Sequence, residues 1–213
     1  MSIPSDPEAA NWIRARLGEF GSVGGLVPSG FETYLLVDHH AGHNHQSSSA
    51  GPDLVAELAA LTAGHTSTPS QAWFAIWVGY GWTTSRTLIA TTATRKERRR
   101  LRQVDEARAA GLEAKLQASQ RFDLPNRGYY LLAGPVAAAS TIERPDSRGI
   151  QPPDLWWPDD KAWFIGTDTD LSWTYVGGSQ ALAEEVATTF SGHVKPVDWS
   201  AMNASAGGQS DLP

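Results

Sequence analysis

The sequence predicts a single α+β domain: a mixed or antiparallel sheet with helices packed on it, and one protruding basic helix. Three observations carry this reading. Helical and strand-like stretches are interleaved, but without the regular βα alternation of a parallel sheet. The stretch Gln71 to Gly79 is apolar on both alternating faces, with Trp73, Ala75 and Trp77 on one and Phe74, Ile76 and Val78 on the other. Such a strand belongs in the middle of a covered sheet. Finally, 213 residues that are 41% hydrophobic suffice for one sizeable core, and the absence of cysteine means that no disulfide holds it.

The elements follow in order. Asp6 can cap a first helix, Pro7 suits its first turn, and Ala9, Trp12, Ile13, Leu17 and Phe20 recur near the helical period. Three glycines within Gly21 to Gly25 stop it, and Phe31 to Val37 reads as a strand. Asp38 to Gly51, rich in Gly, Asn, His and Ser, is a loop. A second helix covers Asp53 to Ala63, with Leu54, Val55, Leu58 and Leu61 inward. After the Gln71–Gly79 strand comes a weaker one, Leu88 to Ala93, and then strong helix formers from Arg95 to Gln120. Tyr129 to Ala133 is a short strand, 143–153 a loop, and Trp156-Trp157-Pro158-Asp159-Asp160 leads into a strand over Ala162 to Thr169. Ser179 caps a helix that turns Leu182, Val186 and Phe190 inward. Val194 to Val197 is a last strand, confined to a sheet edge by Pro196. The domain thus spans 1–199, and the small, polar residues 200–213 form a disordered tail.

Charge is unevenly placed. The segment 95–121 holds nine basic and four acidic side chains, in a chain whose totals are 17 and 23 and whose net charge is −6. Its apolar stripe (Leu101, Val104, Leu112, Leu116) is thin, so most of this helix faces water or a partner. Arg95, Arg98, Arg99, Arg100 and Arg102 could contact phosphates, but the acidic whole disfavours nucleic acid, and an ion-pair surface for another protein is the alternative. No apolar run is long enough for a membrane helix, and the N-terminus has neither a basic nor an apolar signal region, so a soluble cytoplasmic protein is expected.

Other candidate sites are fewer. His39, His40, His43 and His45 crowd one loop, and with Asp168 and Asp170 they could hold a divalent metal for hydrolysis. The bland alternatives are a polar surface loop and a pair of turn-capping aspartates. Asp159 and Asp160 could join Asp168 and Asp170 in such a site. Gly177-Gly178-Ser179 lacks the further glycines of a phosphate loop and reads as an N-cap. His65 has no triad spacing with Thr66 or Thr68 and is expected to close the second helix. Of nine tryptophans, Trp73, Trp77 and Trp163 suit strand interiors, whereas Trp156 and Trp157 sit in a Pro-flanked loop and could anchor a partner.

A set of phrases adds a resemblance: Val27-Pro28-Ser29-Gly30-Phe31-Glu32, His65-Thr66-Ser67-Thr68-Pro69, Trp73-Phe74-Ala75-Ile76-Trp77 with Gly79-Tyr80-Gly81, Leu155-Trp156-Trp157-Pro158-Asp159-Asp160, and Tyr175-Val176-Gly177-Gly178-Ser179. Over residues 20–198 this series resembles a group of uncharacterised actinobacterial proteins. That implies a bacterial cytoplasm and marks 95–121 as a candidate insertion. Element order and tryptophan-rich strands are also similar to SUKH-type immunity modules, which bind toxins or other proteins. The expected function is a non-catalytic protein-binding or regulatory module. The alternatives are a metal-dependent hydrolase using the histidine loop and a nucleic-acid-associated protein using the basic helix.

Overall fold

A computed structural model describes residues 7–39, 51–80, 94–96, 121–125, 127–142 and 150–203. Its centre is an eight-stranded sheet: β1 Thr33–Asp38, β2 Ala72–Trp77, β3 Arg121–Leu124, β4 Arg127–Gly134, β5 Leu155–Pro158, β6 Phe164–Thr167, β7 Trp173–Gly178 and β8 Val194–Pro196. The spatial order is β3-β4-β2-β5-β6-β7-β1-β8, and every neighbouring pair is antiparallel. This is the α+β class expected, with β2 inside the sheet and β8 at its edge.

Strand alternation sorts the core into two layers. Phe74, Ile76, Tyr130, Trp156, Ile165 and Val176 form the first face, which packs under helices α2 (Pro52–Thr62) and α3 (Gln180–Thr189) and a 3-10 turn at Val136–Thr141. Leu54, Val55 and Leu58 of α2, and Leu182, Val186 and Phe190 at α3, are buried against it as their spacing requires. Ser179 caps α3, its hydroxyl accepting from the Leu182 N–H. Ala75, Tyr129, Leu131, Trp157, Phe164 and Tyr175 form the opposite face, beneath the N-terminal segment with Ile13, Val23 and Val27.

Four expectations need correction. The first helix is short: a 3-10 turn at Pro7–Ala10 runs into α1, which covers only Asn11–Arg14. Beyond it the backbone bonds elsewhere, Gly18 N–H to Gly24 O and Ser29 N–H to Arg16 O, so the helical ladder gives way to loop pairing. Phe20, expected inward, is 62% exposed. Trp156 and Trp157 are not in a loop but in β5, 2% and 0% exposed, one on each face. Trp156 meets Trp163 edge-on, while Trp157 stacks on Phe164 with the ring planes 11° apart. Rings so enclosed offer a partner no surface. Arg121, assigned to the basic helix, opens β3 opposite Tyr130. The tail also starts later than residue 200. Val23 N–H bonds to Ala201 O and Asn203 N–H to Gly21 O, and the Trp199 indole donates to Val27 O while packing on Gly24, where a Cβ would lie 2.6 Å from the ring. The expected strand at 88–93, the helix over 97–120 and the tail from 204 lie outside the described residues.

Candidate functional site

Consider first the residues that sequence reasoning nominated. Of the basic cluster, Arg95 is described and exposed, whereas Arg98, Arg99, Arg100 and Arg102 lie outside the described residues. The same holds for His40, His43 and His45. His39 is buried just past β1, its Nε2 3.0 Å from the Thr174 hydroxyl. Thr174 pairs with Val37 and shares its face, so His39 belongs to the α2–α3 side of the sheet. Asp168 and Asp170 line a pocket on the other side. Asp159 and Asp160 sit at the far end of β5, where Asp159 accepts from the Trp73 indole and Asp160 from Thr66, Ser67 and Ala162. These donors outweigh burial, which alone would raise the Asp160 pKa, and hold its carboxyl below the ordinary 3.8. Among the described residues, no three His, Asp or Glu side chains converge as a metal site would need.

Asp168 and Asp170 instead meet an arginine. Arg127 Nη2 lies 2.6 Å from Asp168 Oδ2 and 3.8 Å from Asp170 Oδ2. The side chains of Arg127 and Asp168 are 16% and 12% exposed, that of Asp170 85%. The guanidinium also lies over the Trp77 ring, 4.8 Å from its centroid, a cation–π contact. Asp168 Oδ1 further accepts from the Asp170 N–H and the Thr169 hydroxyl, the local capping expected of a turn aspartate.

Two residues along β4 on the same face stands Tyr129, 3% exposed and stacked on Phe122. Burial is the main cause that raises its hydroxyl pKa far above 10, with the carboxylates of Asp154 and Asp168 adding to it against Arg127. The ring therefore stays a neutral phenol with a proton to donate. Arg127, Tyr129, Asp168 and Asn203 line a pocket of about 310 Å³, walled by apolar side chains including Leu17, Leu26, Leu124 and Leu171. Phe20 stands at its rim. Met202, 60% exposed, is the other large exposed hydrophobic among the described residues. It packs against Gly21, a residue of the pocket lining, its Cε 3.5 Å from where a Cβ on that glycine would lie.

A larger hollow of about 590 Å³ follows the β8 edge beside α3. Its polar groups are already engaged: Glu32 accepts from the Gln180 N–H, Glu184 from the Gln180 side chain, and Thr33 donates to Gly178 O. The smaller pocket is therefore the better candidate.

Arg127 and Tyr129 were missed in the sequence. The signal was present, because extending the Tyr129–Ala133 strand two residues upstream places Arg127 on the same face as Tyr129 and Leu131. A charge on an otherwise apolar strand face calls for a partner, and Asp168 supplies it. No family model, curated protein or solved structure matches this chain.

Proposed function

We propose that this chain is a non-catalytic protein-binding module of the bacterial cytoplasm, and that its contact surface is the pocket side of the sheet. The observation carrying this reading is that, of the two large exposed hydrophobics among the described residues, Phe20 lines the pocket and Met202 packs against Gly21, which lines it too. Paired apolar groups around a concave, partly polar floor are what a partner's anchor side chain requires. The carboxylate best placed for acid–base work, Asp168, is committed to Arg127, which favours binding over chemistry.

The test is capture from the source lysate under nuclease treatment, with wild-type chain and a Phe20→Glu/Met202→Glu variant of equal melting temperature. A protein retained near one-to-one by the wild type and lost by the variant is expected. Equal retention, or no stoichiometric protein on the wild type, overturns the reading.

A further inference from the structure

The pocket floor specifies more than an apolar anchor, and the argument rests on the same surface being the contact site. Tyr129 is almost wholly enclosed, lines the pocket, and receives no hydrogen bond at its hydroxyl from the described residues. A buried phenol usually finds a partner, so one left open to a cavity marks where a ligand atom belongs. Arg127 presents further N–H groups beyond the one that meets Asp168, since a guanidinium carries five. Arg127 is a donor only and the neutral Tyr129 phenol has a proton to give, so these two together suit an acceptor oxygen.

The charge around them decides which acceptor. Arg127 is matched by Asp168 and approached by Asp170, so the local formal charge is already negative and repels a carboxylate. An ammonium would answer that negative charge at the exposed Asp170 and not in the interior, where the enclosed carboxylate, Asp168, is occupied by Arg127, the Asp170 N–H and the Thr169 hydroxyl. What fits is a neutral carbonyl. The walls are aliphatic (Leu17, Leu26, Leu124, Leu171), and about 310 Å³ is at the lower limit of the ~300–1,000 Å³ of small-molecule sites. We propose that the pocket binds an uncharged peptide segment, seating one aliphatic side chain against the leucines while a neighbouring amide carbonyl accepts from the Tyr129 hydroxyl and from Arg127.

The test uses the full chain and three probes titrated by amide chemical shift: N-acetyl-leucinamide (neutral), N-acetyl-leucine (carboxylate) and leucinamide (ammonium). The neutral probe should shift the amides of Gly18, Leu171 and Asn203 and bind there about tenfold more tightly than either charged one, the carboxylate being repelled and the ammonium held at Asp170 away from the floor. Tyr129→Phe, which removes a hydroxyl that holds nothing else, should keep the wild-type melting temperature and weaken the neutral probe roughly fivefold, the loss of one hydrogen bond. Equal affinity in Tyr129→Phe, a charged probe binding as well as the neutral one, or no shift at these amides up to the probe's solubility limit each overturns the proposal. The titration needs no protein partner. Neutral-probe binding with no loss of partner in the Phe20/Met202 variant would sink the protein-binding reading and leave this site standing. The reverse pattern would do the opposite.

Discussion

Replacing Arg127 by Met removes the guanidinium while keeping an unbranched apolar stem against Trp77. Asp168 would then be left mostly enclosed, 12% exposed, without its cation. Breaking a fully buried pair costs about 3–5 kcal/mol because it strands a charge. Here the cost is reduced, since Asp168 keeps two donors, the Asp170 N–H at 3.1 Å and the Thr169 hydroxyl at 3.2 Å. A loss of about 2 kcal/mol follows. Asp168→Asn leaves Arg127 over Trp77 with Asp170 as a second carboxylate at 3.8 Å, so roughly 1–2 kcal/mol is expected. If both effects come from one contact, the double variant costs little more than Arg127→Met alone, giving a coupling of about 1–2 kcal/mol. Urea unfolding of the four proteins measures this, at ~0.1 M and ~1 M salt, between which the screening length falls from about 10 to 3 Å. A pair this enclosed should keep most of its coupling at the higher salt. A coupling under about 0.5 kcal/mol, or one abolished by salt, would show an ordinary surface pair and refute the description of the pocket floor as a fixed, ion-paired unit.

Two further outcomes follow from the same geometry. Trp157→Ala and Trp156→Ala should each cost about 3–5 kcal/mol in chemical unfolding, as for any enclosed indole, whereas exposed contact residues would change stability by under about 0.5 kcal/mol. The Asp160 carboxyl, lowered against burial by its hydrogen bonds from Ser67 and Thr66, stabilises the fold fully above the ordinary 3.8 and loses that contribution as pH falls through its depressed folded value. The melting-temperature gap between wild type and Asp160→Asn should therefore be constant near neutrality and close below pH ~4, and a gap that persists at the lowest pH would count against it.

Much of the sheet was legible because burial imposes a period. Trp73 to Val78 alternate between two buried faces, and Phe74 and Ile76 are indeed separated from Ala75 by the plane of the sheet. Leu182, Val186 and Phe190 follow the helical period, and the Ser179 cap is a local hydrogen bond that three residues encode. Strands β3 and β5 were not legible for opposite reasons. Arg121-Phe122-Asp123-Leu124 has polar members and is a strand only because β4 pairs with it, a tertiary effect. Leu155-Trp156-Trp157-Pro158 is apolar throughout and ends in proline, so no alternation shows, and it becomes a strand through β2 and β6 on either side. The metal reading grouped histidines and aspartates by composition. Sequence spacing does not reveal that Val37, Thr174 and His39 lie on one side of the sheet and Asp168 on the other.

The failed expectation about the first helix bears most directly on function. Had the helix continued from Ala9 to Phe20, its period would have driven Leu17 and Phe20 together onto the sheet. Instead α1 ends at Arg14, and the chain is recaptured by backbone bonds at Gly18–Gly24 and Arg16–Ser29. Leu17 still reaches inward as a wall, but Phe20 swings to the rim and the volume between them stays open. That opening lies over the strand face bearing Arg127 and Tyr129, and an apolar helix cover would have left the Tyr129 hydroxyl without water or partner. The interrupted helix and the polar floor are thus two sides of one arrangement: an apolar cover would strand the Tyr129 hydroxyl, and a hollow leaves it open. Local propensity yields to tertiary demand most readily where a site has to be kept accessible, and here the break in the helical pattern and the unanswered hydroxyl fall at the same place.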